Sequence, residues 1–186
     1  MNLLAGDIGG TKTLLGIYGL EKNLVKYYQK RYLSNNWESL ELIIKNFLET
    51  LPKEINPPKI GCLALAGLVN NGSCSITNLG WEISHKNIIN IANLDVLELI
   101  NDVSVLIYGI PFLDKSQYVE IQHRKSKNNN IKTCAVIAAG TGLGMARGFC
   151  ENKTIMVLPS EGGHREFSPR SEEEWRLRSG SNQIST

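Results

Sequence analysis

Apolar and polar positions along the chain repeat with two spacings, one typical of strands and one typical of helices. Short runs rich in β-branched and aromatic residues predict strands over residues 2–6, 13–18, 23–32, 59–66, 73–77, 96–100, 117–122, 132–139, 145–149 and 154–158. The run over 59–66 is almost continuously apolar, which is typical of a strand buried on both faces. Strands and helices mixed in this order predict an α/β fold.

Helices are predicted between several of these strands. The first lies between capping residues at 34–36 and the break at Pro52, because its apolar side chains share one helical face: Trp37, Leu40, Ile43, Ile44, Phe47, Leu48 and Leu51. Two more helices are predicted over residues 84–92, with Ser84 as the cap, and 103–108. After Trp175 the chain is polar and shows no apolar helical face.

No internal repeat and no low-complexity linker divides the chain. The change from the third helix to a new set of strands predicts a boundary near residues 110–114. We therefore expect a small lobe over 1–110 and the beginning of a larger lobe over 111–186.

Composition and charge narrow the classes of protein that need to be considered. The 186 residues are 42% hydrophobic and 20% charged, as in an ordinary globular protein. A net charge of +2 is too small to predict nucleic acid as a partner. Four cysteines without CxxC spacing predict reduced thiols and a cytoplasmic protein. The sequence has no signal-peptide pattern and no long apolar run, so we predict no membrane partner.

The first glycine-rich loop covers residues 6–13 and reads GDIGGTKT. It is not a P-loop, because Thr11 separates the second glycine from the lysine and a strand pattern follows instead of a helix. A phosphate-binding turn explains it better: Gly9 and Gly10 allow close backbone approach, and Thr11 faces phosphate oxygens. Asp7 would orient a Mg²⁺ ion through water. An ordinary glycine hairpin is the alternative.

The second glycine-rich loop covers residues 139–145 and reads AGTGLGM. The dinucleotide fingerprint fails here, because Met145 stands where that motif needs glycine and no helix pattern follows. A hairpin loop whose amides at Gly140 and Gly142 hold the β- and γ-phosphates explains the spacing, with Thr141 as a hydroxyl donor.

Asn101 and Asp102 stand between a predicted strand and a predicted helix. Such a junction places side chains at the edge of a cleft. Taken alone, an Asn-Asp pair at this position is more often a helix cap than a catalytic base, so both interpretations stay open at this point.

Five short motifs occur in order along the chain: DIGGT at 7–11, TNLGW at 77–81, IND at 100–102, AGTGLG at 139–144 and SEGGH at 160–164. In this order they resemble bacterial glucokinases of the sugar kinase and actin-like ATPase superfamily, over a span from Met1 to about Trp175. The resemblance implies an α/β, actin-like ATPase (ribonuclease H-like) fold with a nearly complete first lobe and the start of a second. It further implies glucose and ATP as ligands, Mg²⁺ as the accompanying ion, and a homodimer for the full-length family.

The resemblance also implies roles for particular residues. Asp102 matches the general base that accepts the proton of the sugar 6-hydroxyl, a role that the chemistry requires because a hydroxyl is a poor nucleophile. Asn101, Asp102, Glu161 and His164 match positions that hydrogen-bond the sugar ring. The two glycine loops and Asp7 match the nucleotide site.

The resemblance covers little more than the first half of a glucokinase. It implies that a further sugar-binding glutamate, the adenosine pocket and most of the larger lobe are missing from this stretch. Three hypotheses stay open: an ATP-dependent glucokinase, a truncated non-catalytic remnant of one, or a kinase for another hexose.

Overall fold

A computed structural model of the chain describes residues 1–21, 24–122, 131–140, 142–151, 154–160, 162–164, 166 and 168–181. Its strands are β1 (Asn2–Ile8), β2 (Lys12–Leu20), β3 (Leu24–Leu33), β4 (Ile60–Leu65), β5 (Val69–Asn70), β6 (Ser73–Ile76), β7 (Trp81–Ser84), β8 (Val96–Asn101), β9 (Ile131–Ala139), β10 (Leu143–Glu151) and β11 (Thr154–Ser160). Its α-helices are α1 (Leu40–Glu49), α2 (His85–Ala92), α3 (Ser104–Gly109) and α4 (Glu172–Ser181).

The main sheet has the strand order β3-β2-β1-β4-β8. β1, β2 and β3 form antiparallel pairs, whereas β1, β4 and β8 run parallel to one another. In β4 the consecutive residues Leu63, Ala64 and Leu65 are all buried, which confirms the prediction of a strand covered on both faces. Because β1, β4 and β8 are parallel, their carboxyl ends meet at one edge of this sheet.

Helix α1 packs one apolar face into the core, as its spacing predicted. The buried side chains of this face are Leu40, Ile43, Ile44 and Phe47. The predicted caps at 34–36 are wrong: those residues form a 3₁₀ turn, and Ser39 caps the helix by accepting a hydrogen bond of 3.3 Å from the Leu42 N–H. Ser34 is instead fully buried beside Thr13.

A small antiparallel sheet of β5, β6 and β7 extends from the end of β4. The sequence predicted β6 but missed its two neighbours. Asn71 and Gly72, both with positive φ, form the turn between β5 and β6. An Asn-Gly pair between short apolar runs is a recognised hairpin signal, and it could have predicted this turn.

A third sheet, with the order β11-β10-β9, packs one face against α3. Glycine permits the close approach of this helix. A Cβ on Gly148 would lie 2.8 Å from Ile107 Cγ2, and one on Gly144 would collide with Val103. The helix also contacts β8, so it connects the main sheet with the third one. The proposed lobe boundary at 110–114 stays a prediction.

The remaining differences lie in the second half of the chain. The strand predicted over 117–122 is wrong, because Lys115–Gln117 form a 3₁₀ turn and the residues up to 122 lie outside any strand. The polar stretch after Trp175 continues helix α4 to Ser181. Within the described ranges, no helix is long and apolar enough to cross a membrane.

Candidate functional site

The parallel strands of the main sheet bring three chain segments to one edge. The strand register aligns Ile8, Leu65 and Asn101 at the carboxyl ends of β1, β4 and β8. The Asp102 N–H donates a hydrogen bond of 3.0 Å to the Leu65 carbonyl, which fixes the residue directly after β8 to the end of β4. Ligands of α/β sheets bind outside the carboxyl ends of strands, so this edge is the candidate site.

The side-chain amide of Asn101 has protein partners for all of its hydrogen-bonding positions. Oδ1 accepts from the N–H groups of Val103 at 3.1 Å and Ser104 at 3.0 Å. Nδ2 donates to the Gly67 carbonyl at 3.2 Å and to Asp102 Oδ1 at 3.1 Å. An asparagine amide has two N–H donors and two acceptor lone pairs, so all four hydrogen-bonding positions of Asn101 are occupied. Asn101 thus bonds the two N–H groups at the start of α3, although the N-cap position itself is Val103, which has no side-chain cap bond. The predicted sugar contact of Asn101 stays a prediction.

Asp102 is half-buried at the same junction, and its Oδ1 atom accepts two hydrogen bonds. One comes from the Val103 N–H at 2.9 Å and the other from Asn101 at 3.1 Å. Burial raises the pKa of the Asp102 carboxyl above its ordinary value, and the charge of Asp7 raises it further, whereas the bonds from Val103 and Asn101 act in the opposite direction. A fixed carboxylate with a raised pKa is suited to accepting a proton.

The first glycine loop is a tight hairpin at the same edge. The Gly9 N–H donates to the Lys12 carbonyl at 3.0 Å, and Ser34 Oγ donates to the Gly9 carbonyl at 2.8 Å. A Cβ on Gly10 would lie 3.7 Å from the Asn78 side chain, so the TNLGW motif contacts this loop. Asp7 and Thr11 are exposed, and their side chains are therefore open to a ligand.

The second loop and the SEGGH motif are described in part. Gly140 donates its N–H to the Gly142 carbonyl at 2.9 Å, and a Cβ on either glycine would meet open space. Thr141 and Glu161, which the sequence predicted as ligand contacts, lie outside the described residues. His164 ends a 3₁₀ turn that begins at Gly162, and its side chain also lies outside the description.

A cleft of about 220 Å³ lies beside the junction. Its wall includes Asn101 from the end of β8, Ser104 and Tyr108 from α3, and Ser160 from the end of β11. The structure thus brings Asn101 together with the first residue of the SEGGH motif, although 59 positions separate them in the sequence (160 − 101).

Sequence reasoning did not identify Ser104 or Tyr108 as site residues. A single serine or tyrosine in a predicted helix does not indicate a binding site, because the cleft forms only when α3 packs against β11.

In the described part of the chain, no three His, Cys, Asp or Glu side chains form a candidate metal site. Cys62, Cys74 and Cys134 are free thiols.

The main sheet, the hairpin loop at its edge and the junction after β8 define an α/β protein of the actin-like ATPase fold, the fold that sugar kinases share. The crystal structure of a glucokinase from an Antarctic psychrotroph superimposes with a TM-score of 0.79 at 30% identity, covering 99% of this chain and 57% of that one. A ROK family glucokinase from Streptomyces griseus, solved in complex with glucose and AMPPNP, shares the fold with a TM-score of 0.50 at 18% identity, covering 84% of this chain and 46% of that one.

The glucokinase family model matches residues 4–184. A glucokinase of Nostoc sp. is 36% identical over 177 residues, which cover 94% of this chain and 51% of the relative. The chain therefore belongs to the glucokinase family, as the motifs predicted. It spans about half the length of the curated relatives that it matches.

Proposed function

We propose that this protein serves as an ATP-dependent glucokinase, which transfers a phosphoryl group to the 6-hydroxyl of glucose with Asp102 as the general base. The observation that carries the proposal is the position of the Asp102 carboxylate. It is held at the carboxyl edge of the main sheet, beside the first glycine loop, in a chain of the glucokinase family.

Asp102 has the chemistry that this reaction requires. Its Oδ1 atom is held by Val103 and Asn101, so the carboxylate has a fixed orientation and Oδ2 can accept the proton of a sugar hydroxyl. Burial raises the pKa of this carboxyl, and a base with a higher pKa takes up a proton more readily. We propose that Asn101, Glu161 and His164 contact the sugar, with Asn101 exchanging one of its present bonds for a ring hydroxyl.

The two glycine loops fit a nucleotide with its metal ion. Gly9 and Gly10 are half-buried and Thr11 is exposed, whereas the space around Gly140 and Gly142 is open. The Gly9 and Gly140 N–H groups are bonded within their own turns, so the amides of Gly10, Thr11 and Gly142 would meet phosphate oxygens. Thr141 would add a hydroxyl donor. The exposed Asp7 carboxylate, close enough to influence the pKa of Asp102, would hold Mg²⁺ through water. ATP would supply the phosphoryl group.

The Streptomyces griseus structure contains glucose and AMPPNP, which supports the choice of ligands. A kinase for another hexose remains the nearest alternative, because the full set of sugar contacts is not present among the described residues.

A second candidate, a non-catalytic domain that lacks turnover by itself, has one observation in its favour. The face of the third sheet that points away from α3 carries exposed apolar side chains: Ile137, Leu143, Met156 and Leu158 are 66%, 48%, 51% and 42% exposed. Contiguous apolar surface of this kind marks a contact with further polypeptide. A chain that needs such a contact would bind ligands weakly and would not turn over alone.

Glucose phosphorylation by the purified chain tests the proposal. A coupled assay would follow ATP-dependent formation of glucose 6-phosphate by the wild type, by Asp102→Asn and by the control Asp95→Asn, an exposed aspartate next to the opposite end of β8. Turnover that is lost in Asp102→Asn and retained in Asp95→Asn is the expected result. Equal turnover in both variants would exclude Asp102 as the base, and no turnover in any of the three would favour the non-catalytic candidate.

A further inference from the structure

Ser104 is a buried polar residue without a partner. It lies in the first turn of α3 and is 3% exposed, yet its hydroxyl oxygen forms no hydrogen bond with any residue that the structure describes. Ser104 is the first residue of α3, so no carbonyl of a preceding helical turn is available to its hydroxyl. Because an unpaired buried hydroxyl costs free energy, this group is available to a partner other than the described protein residues, such as a water or a ligand.

The cleft that Ser104 lines is large enough for a small ligand. Its volume of about 220 Å³ is roughly seven times the ~30 Å³ that one molecule occupies in liquid water. A single trapped water would leave most of this space empty. The cleft also includes Asn101, which is bonded to Asp102, so its occupant would lie close to the proposed base.

The cleft wall has the chemistry of a site for a neutral polyhydroxylated molecule. Hydroxyls of Ser104, Ser160 and Tyr108 and the carboxylate of Glu98 offer hydrogen bonds, whereas Leu68 contributes apolar surface. Among the described residues that line the cleft there is no lysine, arginine or histidine, so these residues offer an anion such as free phosphate no cation to pair with. A hexose has both hydroxyls for the polar groups and C–H faces for the apolar wall.

We infer that the Ser104 hydroxyl is a sugar-binding group, which hydrogen-bonds a hydroxyl of a hexose held in the cleft beside Asp102. This inference rests on the proposed glucokinase function and adds a contact to it. Asn101 would have to give up a protein hydrogen bond to contact the sugar, whereas the Ser104 hydroxyl can do so without breaking a protein contact.

Two measurements on Ser104→Ala test the inference, with Ser73→Ala, an exposed serine on β6, as the matched control. The first is the Kd for glucose by calorimetric titration. The second is the Tm of the ligand-free protein. We expect Ser104→Ala to weaken glucose binding about tenfold, the factor that corresponds to the loss of about 1.4 kcal/mol, and to unfold no earlier than the wild type. Ser73→Ala should match the wild type in both.

Each other outcome overturns the inference in a distinguishable way. An unchanged Kd in Ser104→Ala would remove Ser104 from the sugar site and leave the glucokinase proposal intact. A ligand-free Tm several degrees below that of the wild type would mean that the hydroxyl has a structural partner. No glucose binding by the wild type would overturn the inference and deprive the proposed function of its substrate as well.

Discussion

Replacement of Asn101 by alanine removes a side chain that connects three parts of the candidate site. Its Oδ1 atom accepts the N–H groups of Val103 and Ser104 at the start of α3, and its Nδ2 atom donates to Gly67 and to Asp102. Loss of the bonds that Oδ1 makes to these N–H groups should cost about 1 kcal/mol, as the loss of a helix cap does. Loss of the bond to the Gly67 carbonyl costs about 1 kcal/mol. The bond to the half-buried Asp102 contributes a similar amount, about 1 kcal/mol, after allowance for solvent screening.

The expected total for Asn101→Ala is therefore about 3 kcal/mol in the free energy of unfolding. A change of 1 kcal/mol shifts the Tm of a protein of this size by about 2–4 °C, so the Tm should fall by about 6–12 °C. Thermal unfolding followed by circular dichroism, together with urea denaturation, measures both quantities. Asn90→Ala is the control, because Asn90 is an exposed asparagine on α2 and its replacement should change the Tm by little.

Asn101→Asp separates the acceptor role of this side chain from its donor role. The aspartate keeps an oxygen for the N–H groups of α3, but it loses both donors and places a second negative charge beside Asp102. We expect a smaller fall in Tm than for alanine and a further rise in the pKa of Asp102, measured by NMR titration. A Tm for Asn101→Ala equal to that of Asn90→Ala would refute the assignment of Asn101 as the residue that holds the junction together.

Two further predictions concern stability. Burial raises the pKa of Asp102 in the folded protein above its unfolded value, so the ionised carboxylate destabilises the fold at pH values above the folded pKa. This penalty disappears as the pH falls below the unfolded pKa. Asp102→Asn should therefore raise the Tm at neutral pH but not in acid, and equal Tm differences at both pH values would contradict this. Gly148→Ala should cost about 1–3 kcal/mol, since its Cβ would lie 2.8 Å from both Ile107 Cγ2 and the Met156 carbonyl. The control Gly109→Ala, a helical position with nothing within 4 Å, should unfold no earlier than the wild type.

The fold was predicted best where burial dictates the sequence pattern. α1 has a fully apolar face and β4 is buried on both sides, so their residue types leave little choice of structure. The prediction was weakest where a few polar residues determine the ends of a helix or strand. β5 and β7 are too short to show a periodic pattern, and the cap of α1 is Ser39 because only its side chain, among the nearby serines and asparagines, bonds the first turn of the helix.

The sequence proposed the residues of the candidate site, but it did not predict the contacts that hold them in place. The position of Asp102 after a strand and the two glycine loops could be read from the sequence, because each is a local motif. The use of the Asn101 amide and the burial of Ser104 depend on the packing of α3 between β8 and β11, which no local pattern contains. The roles of Thr141, Glu161 and the His164 side chain stay predictions.

The four residues from Asn101 to Ser104 show why a functional site can differ from the remainder of a fold. Asn101 stabilises the junction with all of its hydrogen-bonding groups, whereas the next residue holds a carboxyl whose ionisation is opposed by burial, and Ser104 buries a hydroxyl without a partner. A junction selected for stability alone would not keep an opposed charge and an unpaired hydroxyl two positions apart. Both become favourable once a sugar hydroxyl donates to the carboxylate and another pairs with the serine. The same two groups that weaken the ligand-free protein are thus the ones that would give a bound hexose its orientation.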